Sequence, residues 1–161
     1  MFKAIQFAVV MIVFGALQVQ ARDTKAGWQF NFTPSLTVNK GYDVGVGVDP
    51  ELRYNVKAGP VFLSAGGRAG IYYAQNLFGV TVMPTVQLTV PYEKFDTYLA
   101  FGHGLGTLPN NDHSDKATMS RIGVLLHFTE KFSLSIEGTN QNIYNSEFSF
   151  VSWGSRVSYE F

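Results

Sequence analysis

Trp28-Gln29-Phe30-Asn31-Phe32-Thr33-Pro34-Ser35-Leu36-Thr37-Val38 places an apolar side chain at every second position. Unbroken alternation is the signature of a strand whose two faces meet different surroundings; an amphipathic helix would repeat at 3.6 residues. The pattern returns at once. Val44, Val46, Val48, Pro50, Leu52, Tyr54 and Val56 alternate with Gly45, Gly47, Asp49, Glu51, Arg53 and Asn55. It recurs where Val80, Val82, Pro84, Val86, Leu88 and Val90 face away from Thr81, Met83, Thr85, Gln87 and Thr89. The chain closes on it again, with Val151, Trp153, Val157, Tyr159 and Phe161 set against Ser152, Gly154, Arg156, Ser158 and Glu160. Segments near 61–74, 96–107, 118–128 and 132–142 follow more loosely, so eight strands are expected. Lys57, Lys94 and Lys131 are 37 residues apart, each expected in a short turn. Two strands and two turns per repeat describe an up-and-down meander.

Composition narrows what such a meander can be. The 161 residues carry twelve basic and twelve acidic side chains, for a formal net charge of zero. A nucleic-acid-binding surface has no electrostatic support in that balance. The absence of cysteine excludes a disulfide framework, thiol catalysis and Cys-ligated zinc. Charged residues make up 15% of the chain and aromatic residues another 15%; soluble domains are typically about 25% charged. Met1-Phe2-Lys3, the apolar run Ala4 to Leu17 and Gln18-Val19-Gln20-Ala21 follow the grammar of a secretory signal peptide. The run is too short for a helix that spans a bilayer, which needs about 20 residues. Residues 1–21 are therefore expected to be removed, leaving 22–161 as the barrel.

Two closed barrels suit eight strands. A soluble ligand-binding barrel puts apolar side chains inside, whereas a membrane barrel turns them out toward lipid. Strict alternation puts Asp49, Glu51, Arg53, Arg68, Arg121, His127, Glu137, Arg156 and Glu160 on the polar face. The opposite face is nearly all apolar, and Trp28, Tyr54, Tyr73, Tyr92, Phe128, Phe132, Tyr159 and Phe161 gather at strand ends, as in interfacial girdles. The balance favours an all-β, eight-stranded, antiparallel transmembrane barrel.

The segment 22–161 resembles the small eight-stranded outer-membrane barrels of Gram-negative bacteria, the OmpA/OmpX type. The end Val157-Ser158-Tyr159-Glu160-Phe161 is similar to the C-terminal signal read by the barrel-assembly machinery, carried by Tyr159 and Phe161, with Arg156 where the family often has glycine. The resemblance implies an integral outer-membrane location, periplasmic termini, and contact with outer-membrane lipid and lipopolysaccharide. Relatives with a peptidoglycan-binding domain continue past the last strand, so cell-wall binding is not expected.

Four arginines and four carboxylates on the polar face point to a paired network that fills the lumen rather than a charged pore, because an unpaired buried charge is costly. Ala100, Gly102, Gly104 and Gly106 are expected to leave room inside for arginines and Tyr98. The main expectation is thus a non-catalytic barrel with a structural or surface-interaction role, without cofactor or metal site. A lipid-modifying enzyme and a narrow channel are the alternatives. His103 and Ser120 fall on the lipid-facing side, an arrangement resembling the lipid A deacylases but without their His-x-Ser motif. Asp112-His113-Ser114-Asp115 places His113 and Ser114 in one exposed loop, whose Asp112 and Asp115 offer at most weak ligands for a divalent cation. Loops are expected at Lys40–Asp43, Gln75–Gly79, Leu108–Lys116 and Ile143–Ser149. Pro34, Pro50 and Pro84 fall on the lipid side within strands and are expected to make bulges; the alternative is a lateral seam, with Pro34 and Pro50 on adjacent strands. Ala65, Gly67 and Ala69 form a small-residue strip suited to a homo-oligomeric contact.

Overall fold

A computed structural model describes residues 26–39, 44–74, 77–93, 95–107, 114–144 and 149–161. The signal-peptide segment lies outside these residues. The strands are β1 (Gly27–Asn39), β2 (Val44–Ala58), β3 (Val61–Ala74), β4 (Leu77–Pro91), β5 (Phe95–Thr107), β6 (Asp115–His127), β7 (Phe132–Ile143) and β8 (Ser149–Glu160). Each pairs antiparallel with its chain neighbours, and β8 pairs with β1 to close the barrel. Closure leaves no strand edge, which is what allows a sheet to stand in hydrocarbon with its backbone groups paired.

The alternation read from sequence becomes an inside and an outside. Along β2, Asp49, Glu51 and Arg53 are buried while Val44, Val46, Leu52 and Tyr54 are exposed. The wall facing outward is apolar elsewhere too, with Leu36, Val82, Val86, Ile136 and Trp153 all exposed. This inversion of a soluble protein is the arrangement that lipid outside and packed polar groups inside require.

The two ends of the barrel differ. At one, strands are joined by tight turns. Gly59 takes a left-handed conformation, φ 66°, before Pro60, and Tyr92 N donates to Phe95 O at 2.8 Å. Phe128 N and Thr129 N donate to Phe132 O at 3.1 and 3.2 Å. Phe161 N donates to Trp28 O at 3.1 Å, so the first and last strands terminate at this turn end. Aromatic pairs ring it: Trp28 with Tyr54 at 5.3 Å, Tyr92 with Phe95 at 4.7 Å and Tyr159 with Phe161 at 5.3 Å between centroids. The opposite, loop end carries the remaining connections.

The sequence reading needs several corrections. Lys57 lies in β2 opposite Phe62 rather than in the turn, and Lys94 lies outside the described residues. Three loops are shorter than expected, because Phe78 and Gly79 already pair with Tyr73 and Tyr72, Asp115 and Lys116 with Gly106 and Leu105, and Ile143 and Ser149 with Ala117 and Asn142. The prolines make no bulges. Phe32–Val157 and Ser35–Gly154 keep one register on either side of Pro34; so do Val48–Ile71 and Glu51–Arg68 around Pro50, and Val82–Leu105 and Thr85–Gly102 around Pro84. No residue is inserted, as a bulge demands. Each ladder merely skips two pairs, because proline lacks the N–H that would reach the facing carbonyl; by register those carbonyls belong to Ser155, Ala69 and His103. The ladder between Pro34 and Pro50 is continuous from Gly27–Asn55 to Val38–Val44, so no seam opens between those two strands.

Candidate functional site

The lumen is the most highly organised part of the molecule. Strand parity aims Asp49, Glu51 and Arg53 of β2, Arg68 of β3, Arg121 of β6, Glu137 of β7 and Arg156 of β8 inward, all of them buried. Arg121 Nη1 reaches across the barrel to Glu51 Oε2 at 2.9 Å, and its Nε lies 3.4 Å from Glu137 Oε1. Glu137 Oε2 is 2.6 Å from Arg156 Nη2 and accepts a hydrogen bond from Tyr98 Oη at 2.5 Å. The Arg156 guanidinium stands 4.5 Å over the Tyr98 ring. Strands from opposite walls are thus tied through side chains as well as around the circumference.

A second cluster sits beside it. Arg68 Nη2 is 2.6 Å from Asp49 Oδ1 and donates to Tyr72 Oη at 2.7 Å. The Tyr72 hydroxyl bonds Asp49 and lies 3.0 Å from Gln141 Oε1. Arg53 is held differently from its neighbours, by the side-chain oxygens of Gln29, at 2.7 Å, and Gln87. Thr85 donates to Glu51 at 2.7 Å. Glu160, at the turn end, joins Arg53 and Gln29 around a pocket of about 20 Å³, room for roughly one water.

His127 belongs to a separate chain at the turn end. Its Nδ1 is 2.8 Å from Ser133 Oγ, and its Nε2 lies 2.9 Å from Asp96 Oδ2 without the alignment of a hydrogen bond. Asp96 was missed from the sequence, although counting back by two from the inward Tyr98 reaches it. Ser, His and Asp in succession resemble a hydrolytic triad only by composition. Ser133 is 2% exposed, and the small neighbouring pocket leaves no room for an acyl substrate.

The glycines of β5 do not serve the arginines. A Cβ at Gly102 would meet Met83 Sδ at 2.7 Å, and one at Gly106 would meet Ile143 at 2.9 Å. Tyr98 takes its room from Gly123 instead, where a Cβ would lie 2.3 Å from its hydroxyl. Met83, Met119, Ile143, Phe150, Ala117 and Tyr72 form an apolar cluster in the loop half of the lumen. The alternation rule sees polarity, so it sorted Met83 with the polar face but could not foresee that an apolar layer would cap the charged one.

On the outer wall, His103 is exposed opposite Thr118, and Ser120 pairs with Phe101, which makes His103 and Ser120 diagonal neighbours. Among the described residues no carboxylate of the neighbouring strands faces outward beside them to orient the imidazole, as a triad needs. Ser114 is exposed at the loop end, while Asp112 and His113 lie outside the described residues. Among the described residues no cluster of His, Asp and Glu is grouped to hold a metal. Ala65 and Gly67 are exposed and Ala69 partly so. Ala65 lines an open groove of about 560 Å³ with Tyr54, Leu63, Val86, Leu88 and Phe101 among its walls.

No family model matches the chain, and no curated protein matches it in sequence. Solved structures do match in shape. The N-terminal β-barrel domain of OprF from Pseudomonas aeruginosa superposes with a TM-score of 0.61 at 13% identity, covering 85% of this chain and 100% of that one. The fold is that of the small outer-membrane barrels. Neisserial surface protein A (NspA) gives a TM-score of 0.59 at 9% identity, covering 84% of this chain and 97% of its own. The outer membrane enzyme PagL gives 0.55 at 11%, covering 81% and 99%. At such identities the likeness carries the eight-stranded outer-membrane-barrel fold and no residue roles. Arg156, at the place where such barrels often have glycine, is buried here and engaged by Glu137 and Tyr98.

Proposed function

We propose that the protein is a non-catalytic integral outer-membrane barrel, closed to solutes, with a structural or surface-contact role. The observation that carries this reading is the filled lumen: a cross-barrel Arg–carboxylate network beneath an apolar cluster. Mature chains reconstituted in planar bilayers are expected to give a silent trace; steady unitary conductance would refute closure. The turn end, where β1 begins and β8 ends, faces the periplasm, and the loop end faces outward. Tyr159 and Phe161 serve recognition by the assembly machinery. Orientation is tested by Ser114→Cys in intact cells, where labelling by a membrane-impermeant maleimide is expected and protection until lysis would reverse the assignment.

Contact with outer-membrane lipid and lipopolysaccharide belongs to the same reading, and the resemblance in shape to a surface protein, NspA, supports it. A homo-oligomer through Ala65, Gly67 and Ala69 is part of it as well; Gly67→Cys that crosslinked to nothing would remove that contact. Lipid modification is the second reading, favoured by one observation, the exposed His103 beside Thr118 and Ser120. Altered lipid A in expressing cells that reverted with His103→Ala would establish it.

A further inference from the structure

The outer wall is not equally apolar all round. β1 turns Trp28, Phe30, Phe32, Pro34, Leu36 and Val38 outward, and β4 turns out Phe78, Val80, Val82, Pro84, Val86 and Leu88. On β6 the outward series from the turn end is Leu126, Val124 and Ile122, and then Ser120, Thr118 and Lys116. β7 repeats the change with Phe132, Leu134 and Ile136 followed by Gly138, Asn140 and Asn142. The apolar wall is thus half as tall here as on the opposite side. The polar half is contiguous, since His103, Thr118 and Asn142 face one another across successive strands, as do Ser120 and Asn140. Within the patch, Ser149 donates a hydrogen bond to Asn142 Oδ1. Among the described residues, no acidic side chain faces outward in the loop half of β5 to β8.

Amides and hydroxyls held against hydrocarbon are costly unless something polar covers them. The cover must be polar over three outward positions, a depth of about 13 Å along the strand, and apolar below. We propose that this sector binds a phosphorylated glycolipid of the outer leaflet, with its sugar headgroup against β6 and β7, His103 of β5 at its edge between the exposed Phe101 and Leu105, and its acyl chains on Ile122, Val124 and Ile136. Asn140, Asn142, Thr118 and Ser120 supply donors and acceptors for sugar hydroxyls. Lys116, exposed at the rim, meets a phosphate as a point charge. Trp153 is 65% exposed, with its ring 3.1 Å from where a Gly138 Cβ would lie, and it offers a flat apolar face to a sugar ring beside the amides. A phospholipid headgroup is too shallow to cover three rows.

The inference rests on the outer-membrane reading with its loop end outward; a vesicle with the glycolipid in both leaflets reads binding whichever way the barrel inserts. The test reconstitutes the mature chain in phosphatidylethanolamine vesicles containing lipid A and counts retained lipid A by native mass spectrometry. The wild type is expected to retain it. Thr118→Val with Asn140→Leu and Asn142→Leu is expected to lose about tenfold in retention. That variant extends the apolar wall and gives up the Ser149–Asn142 hydrogen bond, so folding is checked by heat-shifted gel migration. Lys116→Glu, which leaves the wall intact, is expected to lose about fivefold, the worth of one lysine at an anionic surface. Equal retention by both variants would overturn the proposal. So would wild-type preference for phosphatidylethanolamine, or a crosslinked dimer through Ser120→Cys without retained lipid A, which would identify a second copy as the cover.

Discussion

Glu137→Leu is expected to destabilise the barrel by about 3–5 kcal/mol, the range for removing one partner of a buried ion pair. Glu137 is where three groups converge: Arg156 at 2.6 Å, Arg121 at 3.4 Å and the Tyr98 hydroxyl at 2.5 Å. Arg121 would keep Glu51 at 2.9 Å, but Arg156 would keep only a 3.4 Å contact with Gln87 and the Tyr98 ring. The damage is therefore a stranded guanidinium more than a lost attraction. It follows that Glu137→Leu combined with Arg156→Leu should recover most of the loss, because a buried pair exchanged whole for apolar side chains is nearly neutral. Urea unfolding in lipid vesicles, read by gel migration, measures all three variants. A single-variant loss below about 1 kcal/mol would mean that the lumen is wet enough to solvate the arginine.

The second large effect separates two adjacent glycines. A Cβ at Gly66 would lie 2.3 Å from the Leu52 carbonyl oxygen and 2.7 Å from the Arg53 Cα, backbone atoms that cannot swing aside. At Gly67, which faces out, nothing lies within 4 Å. Gly66→Ala is expected to cost about 3 kcal/mol, the upper part of the overpacking range, or to prevent folding; Gly67→Ala should stay within about 0.5 kcal/mol of wild type. The same unfolding experiment decides it. Equal behaviour would show that β2 and β3 can separate locally without penalty.

Part of the architecture was legible because period 2 is a property of the chain itself. Asp49, Glu51 and Arg53 had to share a face once their segment was a strand, and so did Arg121 and Met119. Asp96 escaped only because its segment alternates loosely. The prolines misled for a different reason. A sequence shows that a donor is missing, but whether the strand bulges or simply forgoes a bond depends on the neighbouring strand's register, which Pro84 cannot reveal without His103 opposite it.

What the sequence by itself determined was strand, face and barrel class, since alternation and composition are local quantities that survive any arrangement of neighbours. Which arginine meets which carboxylate was decided only by closure. Arg121 and Glu51 stand 70 residues apart and become partners because curvature brings opposite walls within reach of a side chain. The same holds for the polar sector outside: Lys116, Thr118, Ser120, Asn140, Asn142 and His103 come from three strands. Their common surface exists only because register sets β5, β6 and β7 side by side at one height.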